Sequence, residues 1–287
     1  MDVEEELLNS FTLLVIPAFS KRSVQVSKVF DPKEQIGETQ EWKEDSRVLN
    51  ILEETILKFK NVQRIQHLLI PPILTLIQDH QVHYKIMGIN LLVALRKKSY
   101  DLRGLEELFR SELFNCLTWH SHPELIRLSL QVLIDITDSI ELENVLQQVL
   151  QGLVYSLGMN DVVQVEFLNA LTRLIPDLGI KTVQFTKSLI ITISDILLIA
   201  TELKTIKSAL ITMRMVIDTC WIRIPNLKGV ILASVAESWL RVESDQLLCF
   251  YRNVVKCLQN CCDLTDDLSL LSFNKSFDRL IDPLHSS

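Results

Sequence analysis

Few side chains in this chain have the spacing to do chemistry. His80 and His83 stand three apart, an interval that brings two imidazoles to one face of a helix, and His120 and His122 flank Ser121. A zinc site takes three or four converging ligands, and neither CxxC nor HExxH accompanies either pair. Histidines in polar turns between helices are the simpler reading. Cys257 and Cys261 lie one helical turn apart, beside Cys262 and after Cys249, on a face shared with Val254 and Leu258. Free cysteine packs as a small hydrophobe, so this group reads as core. The chain has no Gly-x-Ser-x-Gly elbow, no Cys-Gly nucleophile setting, no Gly-x-Gly-x-x-Gly and no Gly-Lys-Ser/Thr loop. Asp266-Asp267 follow Thr265 ahead of an apolar segment and serve as cap and first turn. The expectation is a protein without catalytic residues, metal or cofactor.

The wider composition narrows the partners. Net charge is −7, whereas a phosphate-binding surface needs clustered Lys and Arg. The longest basic run, Arg96-Lys97-Lys98, falls at a helix end and complements the helix dipole. No nucleic-acid partner is expected. Met1 to Glu6 is acidic where a signal peptide starts basic. The longest strongly apolar stretch, Leu189 to Ala200, covers 12 residues and includes Asp195, short of the ~20 that span a membrane. A soluble protein of a reducing compartment follows, cytoplasmic with the nucleus as a second location, and without a membrane partner.

The elements that must position these residues are helical. Only 7 Gly and 8 Pro punctuate 287 residues, and apolar residues recur at helical spacing almost throughout. Residues 1–19 read as an amphipathic helix ending near Pro17, with Leu7, Leu8, Phe11, Leu14 and Val15 on one face. Residues 20–44 lack periodicity and read as a linker. From Asp45 onward helix pairs follow one another to the end, making about a dozen helices in all. Polar residues in register at the start of each second helix, Lys85, Arg127, Gln164, Lys207 and Arg252, are 42, 37, 43 and 45 apart. A period near 40 with two helices per unit predicts an all-α, HEAT- or armadillo-like α-solenoid over 45–287.

One stretch carries more than repeat stacking requires. Leu69-Ile70-Pro71-Pro72-Ile73-Leu74-Thr75-Leu76-Ile77-Gln78-Asp79-His80 is followed by Tyr84-Lys85-x-x-Gly88, and Glu41-Trp42-Lys43-Glu44-Asp45 precedes it by about thirty residues. Together these resemble the two motifs of the TELO-two-interacting protein two family: a Pro-Trp-Lys element, then a Pro-Pro-hydrophobic-Leu-Thr-Leu helix, an acidic turn and Tyr-Lys-x-x-Gly. Glu41 stands where the family usually has proline, Gln78 where it often has a second acid, and Met87 where a basic residue commonly precedes the glycine. The resemblance implies the smallest subunit of the triple-T (TTT) co-chaperone. Such a subunit has no catalysis of its own and binds two larger helical-repeat subunits. With the ninety-kilodalton heat-shock chaperone and the R-two-T-P assembly, the complex stabilises newly made phosphatidylinositol-3-kinase-related kinases of the TOR, ATM and ATR types.

Within the motif, Trp42 and Lys43 are expected to pin the linker, and Pro71 and Pro72 to deform their helix. Asp79 is expected to cap the next helix and Gly88 to mark a close helix approach. Tyr84 and Lys85 are expected to face the partner. Repeat spacing alone also admits an unrelated solenoid adaptor in transport or cargo binding. An importin-like reader needs an Asn/Trp ladder or an acidic inner groove at each repeat, and the four Trp do not recur at the period.

Overall fold

A computed structural model describes residues 3–20, 41–98, 102, 104–158 and 161–281, and these form two compact units, residues 1–113 and 114–287. The described residues are mostly helical, without a strand. The fold is therefore all-α and built of helical repeats. Residues 21–40, most of the expected linker, lie outside the described residues.

In the first unit, α1 (Val3–Ser10), a π-helical turn (Phe11–Val15) and α2 (Ile16–Ser20) run on without a break. The helix was expected to stop near Pro17, and it passes through it. The wide turn, marked by Ile16 N–H donating to Phe11 O, adds about one residue per turn and rotates the apolar face. Phe11 and Val15 are buried, but Leu14, expected on the same face, is 41% exposed. The segment packs on α4 (Ser46–Lys58), and Glu4 accepts from the Lys60 backbone N–H at 2.9 Å. Between them comes α3 (Glu41–Glu44), a single helical turn inside the stretch read as linker. A short 3₁₀ turn (Val62–Arg64) leads into α5 (Gln66–Gln78), which packs along α6 (Val82–Lys98).

In α5 the proline doublet does not interrupt the helix, which stays continuous from Gln66 to Gln78. Each proline removes a donor and frees the carbonyl four residues back, here at His67 and Leu68 in the first turn. Burial of Leu69, Ile73, Leu76 and Ile77, at about 1.5–3 kcal/mol each, outweighs the two lost hydrogen bonds.

After α7 (Glu106–Cys116), the second unit is a two-layer array. One layer contains α8 (Pro123–Ile136), α10 (Asp161–Leu178), α12 (Leu203–Thr219) and α14 (Asp245–Cys261). The other contains α9 (Leu142–Tyr155), α11 (Thr186–Ile199) and α13 (Lys228–Val242). Each helix packs on its chain neighbour and on the next helix of its own layer. Polar links cross from repeat to repeat: Thr212 Oγ1 donates to Leu168 O, and Ser234 Oγ to Ser194 Oγ at 3.1 Å. These partners are 44 and 40 residues apart, the period read from the sequence. The array ends with α15 (Thr265–Ser272) and α16 (Asp278–Ile281). There Trp239 Nε1 donates to Ser276 O at 2.8 Å, and Tyr251 OH shares a hydrogen bond with Ser238 Oγ. Asp161–Ile199 has the length and apolarity of a membrane span. Gly179–Phe185 interrupts it with 3₁₀ turns, and Phe167, Leu168, Leu171, Ile190 and Ile193 from it are core residues.

Candidate functional site

A four-residue helix cannot hold itself together, because nucleation costs more than one turn of hydrogen bonds returns. The Trp42 side chain fixes α3 in place. Its ring is 2% exposed, stacks on Phe19 of α2 (centroids 5.1 Å apart, planes 8° apart) and meets Tyr84 of α6 edge-on at 4.8 Å. Three segments distant in sequence are thus tied at one aromatic cluster. Asp45 then caps α4, accepting from the Arg47 backbone N–H at 2.9 Å.

Lys43 supplies the charge. Its ammonium lies 5.1 Å from the Trp42 ring centroid and 5.2 Å from that of Tyr84, and 2.6 Å from Asp79 Oδ2. The Asp79 side chain is fully buried and that of Lys43 is 16% exposed. The other Asp79 oxygen accepts from the Gln81 backbone N–H at 2.8 Å, which caps the start of α6. Asp79 therefore ends α5 through its backbone N–H on Leu76 O, while its carboxylate starts α6 and holds α3. Cations gain on aromatic faces when desolvated, and a buried carboxylate needs such a partner.

The remaining motif residues close the α5–α6 turn. Lys85 Nζ donates to Ile77 O at 2.7 Å and the residue is buried. A side-chain cation at the end of α5 satisfies a carbonyl that the helix leaves open and complements the dipole. This corrects the expectation that Lys85 faces a partner. Gly88 marks a close approach of α6 to α5: a Cβ there would lie 2.8 Å from Ile77 Cγ1 and 2.9 Å from both Ile77 N and Leu76 Cβ. Tyr84 is half-buried, with His83 against it at 3.8 Å. His80, Gln81 and His83 are the exposed side chains around the cluster. Pro71 is exposed and Pro72 buried, both one or two turns back along α5. Gln78, at the family's frequent acid, donates to Glu112 Oε1 at 2.8 Å, where an acid would meet like charge.

The sequence model of the Tti2 family matches residues 16–200. The chain belongs to the Tti2 family. A search of curated proteins and a search of solved structures return no match. The family match runs from α2 to the end of α11, so the Trp42–Gly88 cluster lies wholly within it.

In this Tti2-family chain the cluster's Lys43 pairs with Asp79, and Lys85 is engaged by the Ile77 carbonyl. Among the described residues no three His, Cys, Asp or Glu converge as metal ligands. Of the cysteine group read as core, Cys257 is buried, Cys261 and Cys262 are half-buried and Cys249 is exposed; Cys257 Sγ donates to Asp218 Oδ1 at 2.6 Å, and burial pushes the Cys257, Cys261 and Cys262 thiols up. His120 has an imidazole held low by burial beside Tyr155 and Phe167.

Two of the five register residues, Lys85 and Gln164, share a task that spacing alone did not reveal. Gln164 Nε2 donates to Ser156 O at 2.9 Å, eight residues back, as Lys85 does to Ile77 O. In both repeats a long polar side chain in the first turn of one helix closes the end of the preceding helix. A polar residue on an otherwise apolar face, just after a turn, was the available signal. Arg127 instead lies near Glu124, and Lys207 stands over the Phe250 ring.

Proposed function

We propose that this protein is a non-catalytic scaffold subunit of the triple-T co-chaperone, acting with two larger helical-repeat subunits in the cytoplasm and nucleus. Through that complex and the ninety-kilodalton heat-shock chaperone it stabilises newly made TOR-, ATM- and ATR-type kinases. The observation that carries the reading is the Tti2-family match over 16–200. The chemistry of the motif agrees with a scaffold role. Its Lys, Asp and Trp side chains hold helices to one another, and thiols pushed up by burial are poor nucleophiles.

Acute depletion of the protein tests the reading. Newly made kinases of all three types should be lost faster, with their messenger RNAs unchanged, and should recover on re-expression. Unaltered kinase turnover after complete depletion would overturn it.

A further inference from the structure

The two solvent-facing surfaces of the second unit both carry charges, such as Lys187 and Arg241 on α11 and α13, and differ in their share of exposed large apolar side chains. The layer of α8, α10, α12 and α14 exposes charges of both signs, several of them paired: Arg173 with Asp135 at 2.9 Å, and Arg214 with Asp218 at 3.5 Å. The layer of α9, α11 and α13 exposes Val154, Tyr155, Ile191, Val230 and Leu240, each at least 40% accessible. Two clefts cross this apolar layer. The first, between α9 and α11, has a volume of about 500 Å³, and its polar lining is neutral, with Gln147, Gln151, Ser188 and Thr192. The second, between α11 and α13, has about 180 Å³; Ala233, Ser194 and Ser234 are among its small lining residues. Asp195 and Glu237 stand in that second cleft, and neither has an ion-pair partner among the described residues.

We propose that this layer is the docking surface for one amphipathic helix of a partner protein. That helix carries apolar anchors about seven residues apart and a Lys or Arg beside the second anchor. The spacing follows from geometry: packed helix axes lie ~8–10 Å apart, and seven residues of a crossing helix rise ~10.5 Å. Consecutive anchors therefore fall into consecutive clefts. The charge follows from the lining. Two unpaired carboxylates in an apolar cleft favour a cation and repel an acidic segment. Because the first cleft is neutral, the charge also sets which way the helix runs. The inference rests on the scaffold reading, since a subunit that binds helical-repeat proteins meets exposed helices.

A photoreactive benzophenone amino acid placed at Ile191 in the full chain, expressed in cells and irradiated, tests it. Lys256, exposed on the opposite layer, is the control position. The expected adduct joins position 191 to a helical peptide of another protein with Lys or Arg within a turn of an apolar residue. Asp195→Lys with Glu237→Lys should cut its yield at least tenfold at an unchanged melting temperature. If the double variant melts early, the exposed Glu237→Lys alone should still cut it severalfold. An adduct with a second copy of this chain, with lipid or with an acidic peptide overturns the proposal. So does a yield no higher than at Lys256, or one indifferent to the charge reversals. If the peptide has the expected chemistry but belongs to no triple-T subunit, the scaffold reading fails while the docking surface stands.

Discussion

Lys43→Met keeps most of the aliphatic stem against Trp42 and Tyr84 while removing the charge beside Asp79. The carboxylate it leaves is fully buried. Stripping one partner from a buried ion pair costs about 3–5 kcal/mol, and the two ring contacts add about 0.5–1 kcal/mol each. The 16% exposure of Lys43 and the Gln81 N–H that still serves Asp79 offset part of this. A net loss of about 3 kcal/mol follows, roughly a hundredfold in an opening equilibrium. The chain has two compact units, so a single melting curve averages over both. Amide exchange, read peptide by peptide over α3, the end of α5 and the start of α6, isolates the effect. Those peptides should lose about two orders of magnitude of protection while α10 and α12 keep theirs. Asp79→Asn in a double-mutant cycle should return a coupling of at least about 1.5 kcal/mol. A loss under about 1 kcal/mol is the range of an exposed ion pair, and it would refute the argument that this cluster locks the turn.

Further outcomes follow from individual positions. Lys85→Glu puts a carboxylate against the Ile77 carbonyl oxygen in a buried site, so it should destabilise the first unit by several kcal/mol; near-normal urea stability would contradict that. Gly88→Ala gains about 1 kcal/mol of helix propensity but forces backbone apart at the α5–α6 contact, so a net loss of about 1–2 kcal/mol is expected. Glu243 ends α13 with φ of 36°, and Glu243→Gly should raise stability by about 1 kcal/mol, readable as a higher melting temperature. Burial holds His120 below its usual value, so the unfolded chain takes up that proton first. Its stability contribution is present above about pH 6.5 and is lost as pH falls. A stability–pH profile between pH 8 and 5 should show this slope, and His120→Gln should flatten it.

The repeat architecture was legible because its cause is local: apolar stripes at helical spacing, turns between them, and one polar residue recurring near every 40 positions. The same reading misplaced Glu41 to Glu44. Four residues with one apolar side chain carry no period, and their helicity depends on Phe19 and Tyr84, which tertiary packing alone delivers. Leu14 was misassigned because a single wide turn shifts the apolar face without leaving a compositional mark. At the motif, sequence singled out Trp42, Lys43, Asp79, Tyr84, Lys85 and Gly88 but could not show that they converge. Long polar side chains look solvent-facing in a sequence, and only the Ile77 carbonyl beside Lys85 shows why one of them is buried. The cleft carboxylates Asp195 and Glu237 are 42 residues apart and become neighbours only through repeat stacking.

Affinity purification of the tagged full chain from native cells at low salt tests membership of a triple-T assembly. Both larger helical-repeat subunits should be recovered in near-equal amounts with the bait, together with kinases of the TOR, ATM or ATR type. Recovery of neither larger subunit, at a bait yield sufficient to detect them, would contradict it.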